Sequence, residues 1–284
     1  MSHLVSASTL SEAWLRTFEL VRRAPGGRLT HVVTAVGDPG AEVMGVRDEL
    51  EKLLAHNGSQ SIDTVAETIF PSSLYRDPCI DWHPSIATDS EAVLDDAAAS
   101  LYESYIGMLP MLRTVGANRS GTYFSRMITW PGKVAGGTNQ LELRIARLRS
   151  QARAGRRTNN TLDIDLGADA LDTDLPISGV QVYAVTDQRT RSFPCLTHID
   201  LTLYEGQLHC TAVYRHQYLV EKAYGNLVGL SALLQFLCQQ GGCVPGELVV
   251  HATMADAQPA TFGGVVDQFV DEALTAVAAA SSEV

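Results

Sequence analysis

Cys195 follows a proline in the run SFPCLTHIDLTLYEGQLHCTAVYRHQYLVEKAYGN, with Arg215 20 residues further on and Asn226 another 11 beyond it. A thiol attacks carbon well only as its thiolate, and a thiolate needs a cation or a donor beside it. A guanidinium meets that need and also grips phosphate through two parallel N–H bonds. A primary amide holds a donor and an acceptor side by side, the pattern that reads one edge of a base. Together the three describe a nucleophilic site for an anionic ligand that carries a base. The residues alone also allow Cys195 to be a small buried hydrophobe and Arg215 a surface charge at a strand end.

The elements that must position these groups are legible around them. Ile199, Leu201 and Leu203 alternate with Asp200, Thr202 and Tyr204, Glu205-Gly206 supplies a two-residue turn, and Leu208, Cys210 and Ala212 alternate with His209, Thr211 and Val213. That pattern predicts a β-hairpin whose outer ends bring Arg215 back towards Cys195. Val220, Ala223, Leu227, Leu230, Leu234 and Leu237 then fall at steps of three and four, which predicts a helix over 219–240, capped by Gly241-Gly242 and carrying Asn226. Upstream, the periodicity predicts helices over 11–24, 47–55 and 89–105 and a strand over 29–36. Downstream it predicts a turn and strand over 244–254 and an alanine-rich helix over 264–280. Residues 151–176, rich in Arg, Asn, Asp and Gly, read as an exposed excursion. Strands and helices without a βαβαβ rhythm predict an α+β fold.

The 284 residues, 45% of them hydrophobic, suit one sizeable core, so a single domain over 1–284 is expected. A net charge of −11 argues against nucleic-acid or anionic-membrane partners, which need a basic face, but leaves room for a small anion held by a few local arginines. No uncharged apolar run reaches the roughly 18 residues that span a bilayer. The first residues show no basic stretch followed by an apolar one, so no export signal is expected. Five cysteines are odd in number and sparse, which predicts free thiols in a reducing, cytoplasmic setting. Cys79 with His83, and Cys195 with His198, have ligand-like spacing but complete no four-ligand pattern, so no metal is expected.

Pro194-Cys195, the alternating strand, Glu205-Gly206, Cys210, Tyr214-Arg215 and Asn226 together resemble the catalytic core of the thymidylate synthase superfamily, which includes pyrimidine nucleotide hydroxymethylases. Gly121 to Arg126 (GTYFSR) is similar to that family's tyrosine-containing segment. The resemblance is strongest over 179–250 and fair over 121–135. It implies an α+β fold, a mixed sheet covered by helices on one face, and a homodimer formed sheet to sheet. It also implies that Cys195 adds to C6 of a pyrimidine nucleotide, so that C5 captures a one-carbon unit from 5,10-methylenetetrahydrofolate.

By the same resemblance, Glu67 and Tyr123 join Cys195 as catalytic residues in a proton network. Arg215 holds the substrate phosphate, His216 stands where the family has a serine beside that arginine, and Asn226 faces the N3/O4 edge of the base. Arg156-Arg157 match the family's arginine pair that reaches across the dimer only if 158–176 is an insertion; a solvated basic patch is the other reading. There are departures. The residues that grip the sugar hydroxyl in the family fall on Asp256 and Gln258, its aspartate after the phosphate-binding pair falls on Tyr218, the apolar residue three before the nucleophile is Ser192, and its folate-closing C-terminal segment has no counterpart. A polar Ser192 suits attack by water, hence a hydroxymethyl product. The alternative is a folate-independent or non-catalytic nucleotide-binding relative on the same scaffold.

Overall fold

In the computed structural model, residues 2–118, 121–130, 136–155, 164–165 and 195–282 are described. The chain is mixed α and β, and its strands form an open, mixed sheet. Strand order is β1 (His3–Thr9), β2 (Arg28–Asp38), β7 (Val244–Asp256), β5 (Gln207–Tyr214), β4 (Leu196–Tyr204) and β3 (Ile164–Asp165), with β6 (Gln217–Tyr218) beside β7. Two compact units divide the residues. The first comprises 1–67, 211–232 and 246–284, and the second 68–210 and 233–245.

In the first unit, β1 pairs parallel to β2 and β2 antiparallel to β7, with Val32 opposite Ala252 and Thr34 opposite Val250. Val32, Thr34, Val36, Leu248, Val250 and Ala252 are buried on one face. Helix α1 (Leu10–Arg22) covers that face, and the hydroxyls of Thr17 and Thr34 meet at 2.8 Å. Thr9 starts α1 by accepting the backbone N–H of Glu12, and Leu10, Ala13, Trp14, Phe18 and Val21 give it the apolar stripe that buries it. Trp14 stacks on Phe18 and meets Tyr224 and Phe269 edge-on, which joins α1 to α7 (Tyr224–Gly241) and to α9 (Val266–Ser282). The opposite face carries Leu4, which is 72% exposed, together with His31, Val33 and His251. Among the described residues of this unit, no helix covers it.

The second unit packs around aromatic rings. Phe124 meets Phe70, Tyr102 and Tyr105, and Phe236 meets Phe70, Tyr75 and Tyr102, with centroids 4.8 to 6.4 Å apart. These residues come from α4 (Thr88–Leu112), α5 (Tyr123–Ile128), the far half of α7 and the loop before α4. The hairpin forms at the expected turn: Glu205 and Gly206 both take positive φ, 50° and 85°, which matches the twist that a two-residue hairpin loop requires. Ile199, Leu201, Leu208, Cys210 and Ala212 are buried, whereas Tyr204 on the opposite face is 61% exposed.

Several boundaries differ from the sequence expectation. The helix predicted over 219–240 opens with a π turn, Leu219–Ala223, before α7 proper. The turn expected to begin at Val244 lies earlier, at Gly242, and β7 is extended from Val244 onward. Within the expected excursion at 151–176, the chain is still helical to Ala154 at the end of α6 (Gln140–Ala154), and Ile164-Asp165 pair antiparallel with His198-Ile199. Helices α2 (Met44–His56), α3 (Ile62–Ala66) and α8 (Pro259–Phe262) complete the chain. No helix among the described residues is long and apolar enough to cross a membrane.

Candidate active site

The Tyr123 phenol meets the backbone at Cys195 in the second unit. Helix α5 begins in a capping box: Thr122 accepts the N–H of Ser125, and the Ser125 hydroxyl accepts the N–H of Thr122. Gly121, at φ +90°, leaves room for this box, because a Cβ there would stand 2.7 Å from Ser125 Oγ. The Thr122 hydroxyl bonds the hydroxyl of Tyr105, and the N–H of Phe124 donates to the carbonyl of Thr68. The first turn of α5 is thereby fixed on three sides, and it delivers Tyr123 to the mouth of the hairpin. There the Tyr123 Oη accepts the backbone N–H of Cys195 and that of Leu196, each at 3.3 Å.

Cys195 is half-buried at the entry to β4. Burial, and then the charge of a Cys195 thiolate, push the Tyr123 hydroxyl up to about 12 against the opposing pull of the two backbone N–H groups and Arg126. Tyr123 therefore keeps its proton at neutral pH. It accepts two N–H bonds and retains one O–H to donate. By contrast Cys210, wholly buried on the hairpin, has its thiol raised to about 12 by burial.

Arg215, His216, Asn226 and Glu67 belong to the first unit. Arg215 and His216 form the bend between β5 and β6, and β6 is held parallel to β7 through Gln217 opposite Ala255 and Tyr218 opposite Asp256. The His216 ring lies 4.6 Å from that of Tyr218, and its Nε2 stands 3.8 Å from a carboxylate oxygen of the buried Asp256. The same carboxylate receives Arg28 Nε at 2.8 Å and the backbone N–H of Gln258 at 2.8 Å. Gln258 takes a left-handed conformation, φ 56°, and its amide closes a two-bond ring with Glu221 of the π turn. Asp256 and Gln258, which fall where a sugar grip was expected, instead brace the Arg215-His216 bend and the start of the long helix.

Asn226 sits in the first turn of α7, 5% exposed, and among the described residues its side-chain amide makes no hydrogen bond. Its neighbour Gly225 explains its depth: a Cβ there would lie 2.7 Å from the carbonyl of Ile62 and from Val65 Cβ, so only glycine lets α3 approach so closely. Glu67 caps α3, donating its backbone N–H to the carbonyl of Asp63. Arg156, Arg157 and Ser192 lie outside the described residues.

Asp256, Gln258 and Glu221 are the polar groups whose structural part the sequence did not convey. One signal was present, since an aspartate two residues before a backbone donor is the usual start of an Asx turn, here Asp256 to Gln258. The Arg28 partner, 228 residues away, has no local signature. Among the described residues no group of three or more His, Cys, Asp or Glu is arranged to hold a metal ion. No protein-family model matches this chain, and no curated protein sequence matches it.

Proposed function

We propose that this chain transfers a one-carbon unit, methyl or hydroxymethyl, to C5 of a pyrimidine nucleotide after Cys195 adds to C6. The observation that carries the reading is the meeting of Cys195 with Tyr123. Two segments 72 residues apart, both named by the resemblance, meet where the Tyr123 phenol oxygen accepts the backbone N–H of the half-buried Cys195. C5 of uracil is unreactive until a soft nucleophile adds at C6 and the charge developing on O4 is stabilised by fixed donors. Cys195 supplies the nucleophile, and the protonated Tyr123 supplies an O–H at the same place. Asn226, a nearly buried amide with its hydrogen-bonding capacity unspent, is the group suited to read the N3/O4 edge. Arg215 is assigned to the phosphate, with His216 beside it.

The one-carbon donor of this chemistry is 5,10-methylenetetrahydrofolate, which supplies carbon at the methylene level. Helix α9 is engaged by Phe269 against Trp14 and Phe18. The steps assigned to this chain's own side chains are addition at C6, support of the O4 charge, and reversal of the addition. A homodimer formed through the uncovered sheet face of the first unit belongs to the same proposal, since that face leaves Leu4, Val33 and the histidine pair without cover.

Intact-protein mass spectrometry with a 5-fluoropyrimidine nucleotide, with and without methylenetetrahydrofolate, tests it. A ternary adduct mapped to Cys195 is the expected result. A binary adduct alone supports the folate-independent alternative, and no adduct at Cys195 overturns both.

A further inference from the structure

The C-terminal end of α7 holds a second sulfur site, unrelated to Cys195. Gly242 breaks the helix at φ +73°, and the Cys238 carbonyl accepts the N–H of Gly242 at 2.8 Å and that of Cys243 at 3.2 Å. The second of these bonds is the six-residue closure of a Schellman cap, and in such caps the side chain just past the glycine packs on the one that begins the closing loop. Here both side chains are thiols, and the Cys243 side chain lies close enough to act on the Cys238 thiol. Cys238 is 3% exposed, whereas Cys243 is partly open to solvent. Gly242 is wedged against Trp82, where a Cβ would stand 2.5 Å from the indole, and Val244 N–H donates to the carbonyl of Gly206 in the hairpin turn. The cap is therefore held from both sides, and the two sulfurs are held with it.

We propose that Cys238 and Cys243 form a redox modification site, a dithiol that hydroperoxides oxidise to a disulfide across the end of α7. The accessible Cys243, as thiolate, attacks the peroxide: an S–O bond forms, the O–O bond breaks, and the departing oxygen leaves as alcohol or water after taking a proton. Cys238 then attacks the Cys243 sulfur. The S–S bond forms, the S–O bond breaks, and hydroxide leaves with the Cys238 proton as water. Two thiols lose two electrons and the peroxide gains them. The neighbouring Cys243 thiol and then burial hold the Cys238 thiol well above its ordinary range, so its proton is the one that leaves with the hydroxide. Cys210, the other buried thiol in this region, lies on the inward face of the hairpin.

The sequence makes the test simple, because no lysine or arginine follows Lys222 and the tryptic fragment from Ala223 holds Cys238 and Cys243 as its only cysteines. The full chain is treated with limiting hydrogen peroxide, alkylated and digested. The expected result is a fragment that resists alkylation and is lighter by about two mass units, restored by dithiothreitol. Cys243→Ser should abolish that shift while leaving Cys195 open to alkylation. Alkylation of both cysteines after treatment, stable sulfinic acid at Cys243, or a crosslink from either to Cys195 or Cys210 would overturn the proposal. None of these readings depends on whether a pyrimidine binds.

Discussion

Arg149 and Asn226 are both nearly buried polar side chains, 7% and 5% exposed, and the protein treats them in opposite ways. Every nitrogen of the Arg149 guanidinium is occupied. Nε donates to the carbonyl of Gln240 at 2.7 Å, Nη2 to its side chain at 2.8 Å, and Nη1 to Asp95 at 2.6 Å. Trp82 lies under both Arg149 and Arg153, with guanidinium-to-centroid distances of 5.7 and 5.1 Å. That is a group spent on structure. Asn226 has been carried to the same depth, yet among the described residues it bonds nothing. Its amide atoms are not among the fully buried ones that lack a partner, so the group keeps some solvent contact and, on the proposed function, is open to a ligand.

The comparison breaks most readily at the structural end. Arg149→Met strips Gln240 and Asp95 of their shared donor and should lower the unfolding free energy by about 3 kcal/mol, measured in urea. A loss below about 1 kcal/mol would show that the network is not holding α6 to α7. Gly225→Ala comes next, at about 2 kcal/mol, because the new methyl must displace backbone as well as Val65. It should also weaken nucleotide binding by moving Asn226.

Asn226→Leu is the sharpest of the set, for it should cost almost no stability, within about 0.5 kcal/mol of the parent or above it, by removing an unpaired amide. Its affinity for UMP should nevertheless fall about ten- to a hundredfold by calorimetry, with little change for CMP. A large loss of stability with unchanged binding would make Asn226 a second Arg149.

The smallest effect concerns His251, whose ring stacks on His31 with nitrogens 3.3 Å apart. Partial burial and then His31 hold its pKa below the ordinary value, so the unfolded chain binds protons that the folded one resists. The neutral pair is tolerated fully above about pH 6.5, and stability should decline as pH falls below that. His251→Gln should flatten this decline in thermal melts taken between pH 7 and 5. An unchanged slope would remove the pair from the account.

The hairpin, the long helix and α1 were legible because burial imposes a period, and Leu201, Leu230 and Trp14 each stand at the phase that burial demands. Edge strand β1 was not, since HLVSAST is only half-covered and alternates weakly. Helix α6 was missed for the opposite reason: its stripe of Leu141, Ile145 and Leu148 is narrow and crowded by arginines. At the candidate site, Cys195 could be named from residue type and Tyr123 only from the resemblance, and their contact depends on how α5 is capped by Thr122 and Ser125. The bracing of the Arg215-His216 bend by Asp256 was hidden because its partners come from Arg28 and Gln258, at opposite ends of the chain.

The π turn at Leu219–Ala223 acts as a phase setter for everything that follows it. An α-helix advances about 100° per residue, so one residue more or less at its root rotates every later side chain by more than a quarter of a circle. The wide turn accommodates the residue that a tight one would have to expel, and the Glu221–Gln258 ring pins it there. Deleting Lys222 would leave the composition of α7 intact and its length nearly so. It would swing Asn226 off its present bearing and turn a different residue into the place where an amide now waits.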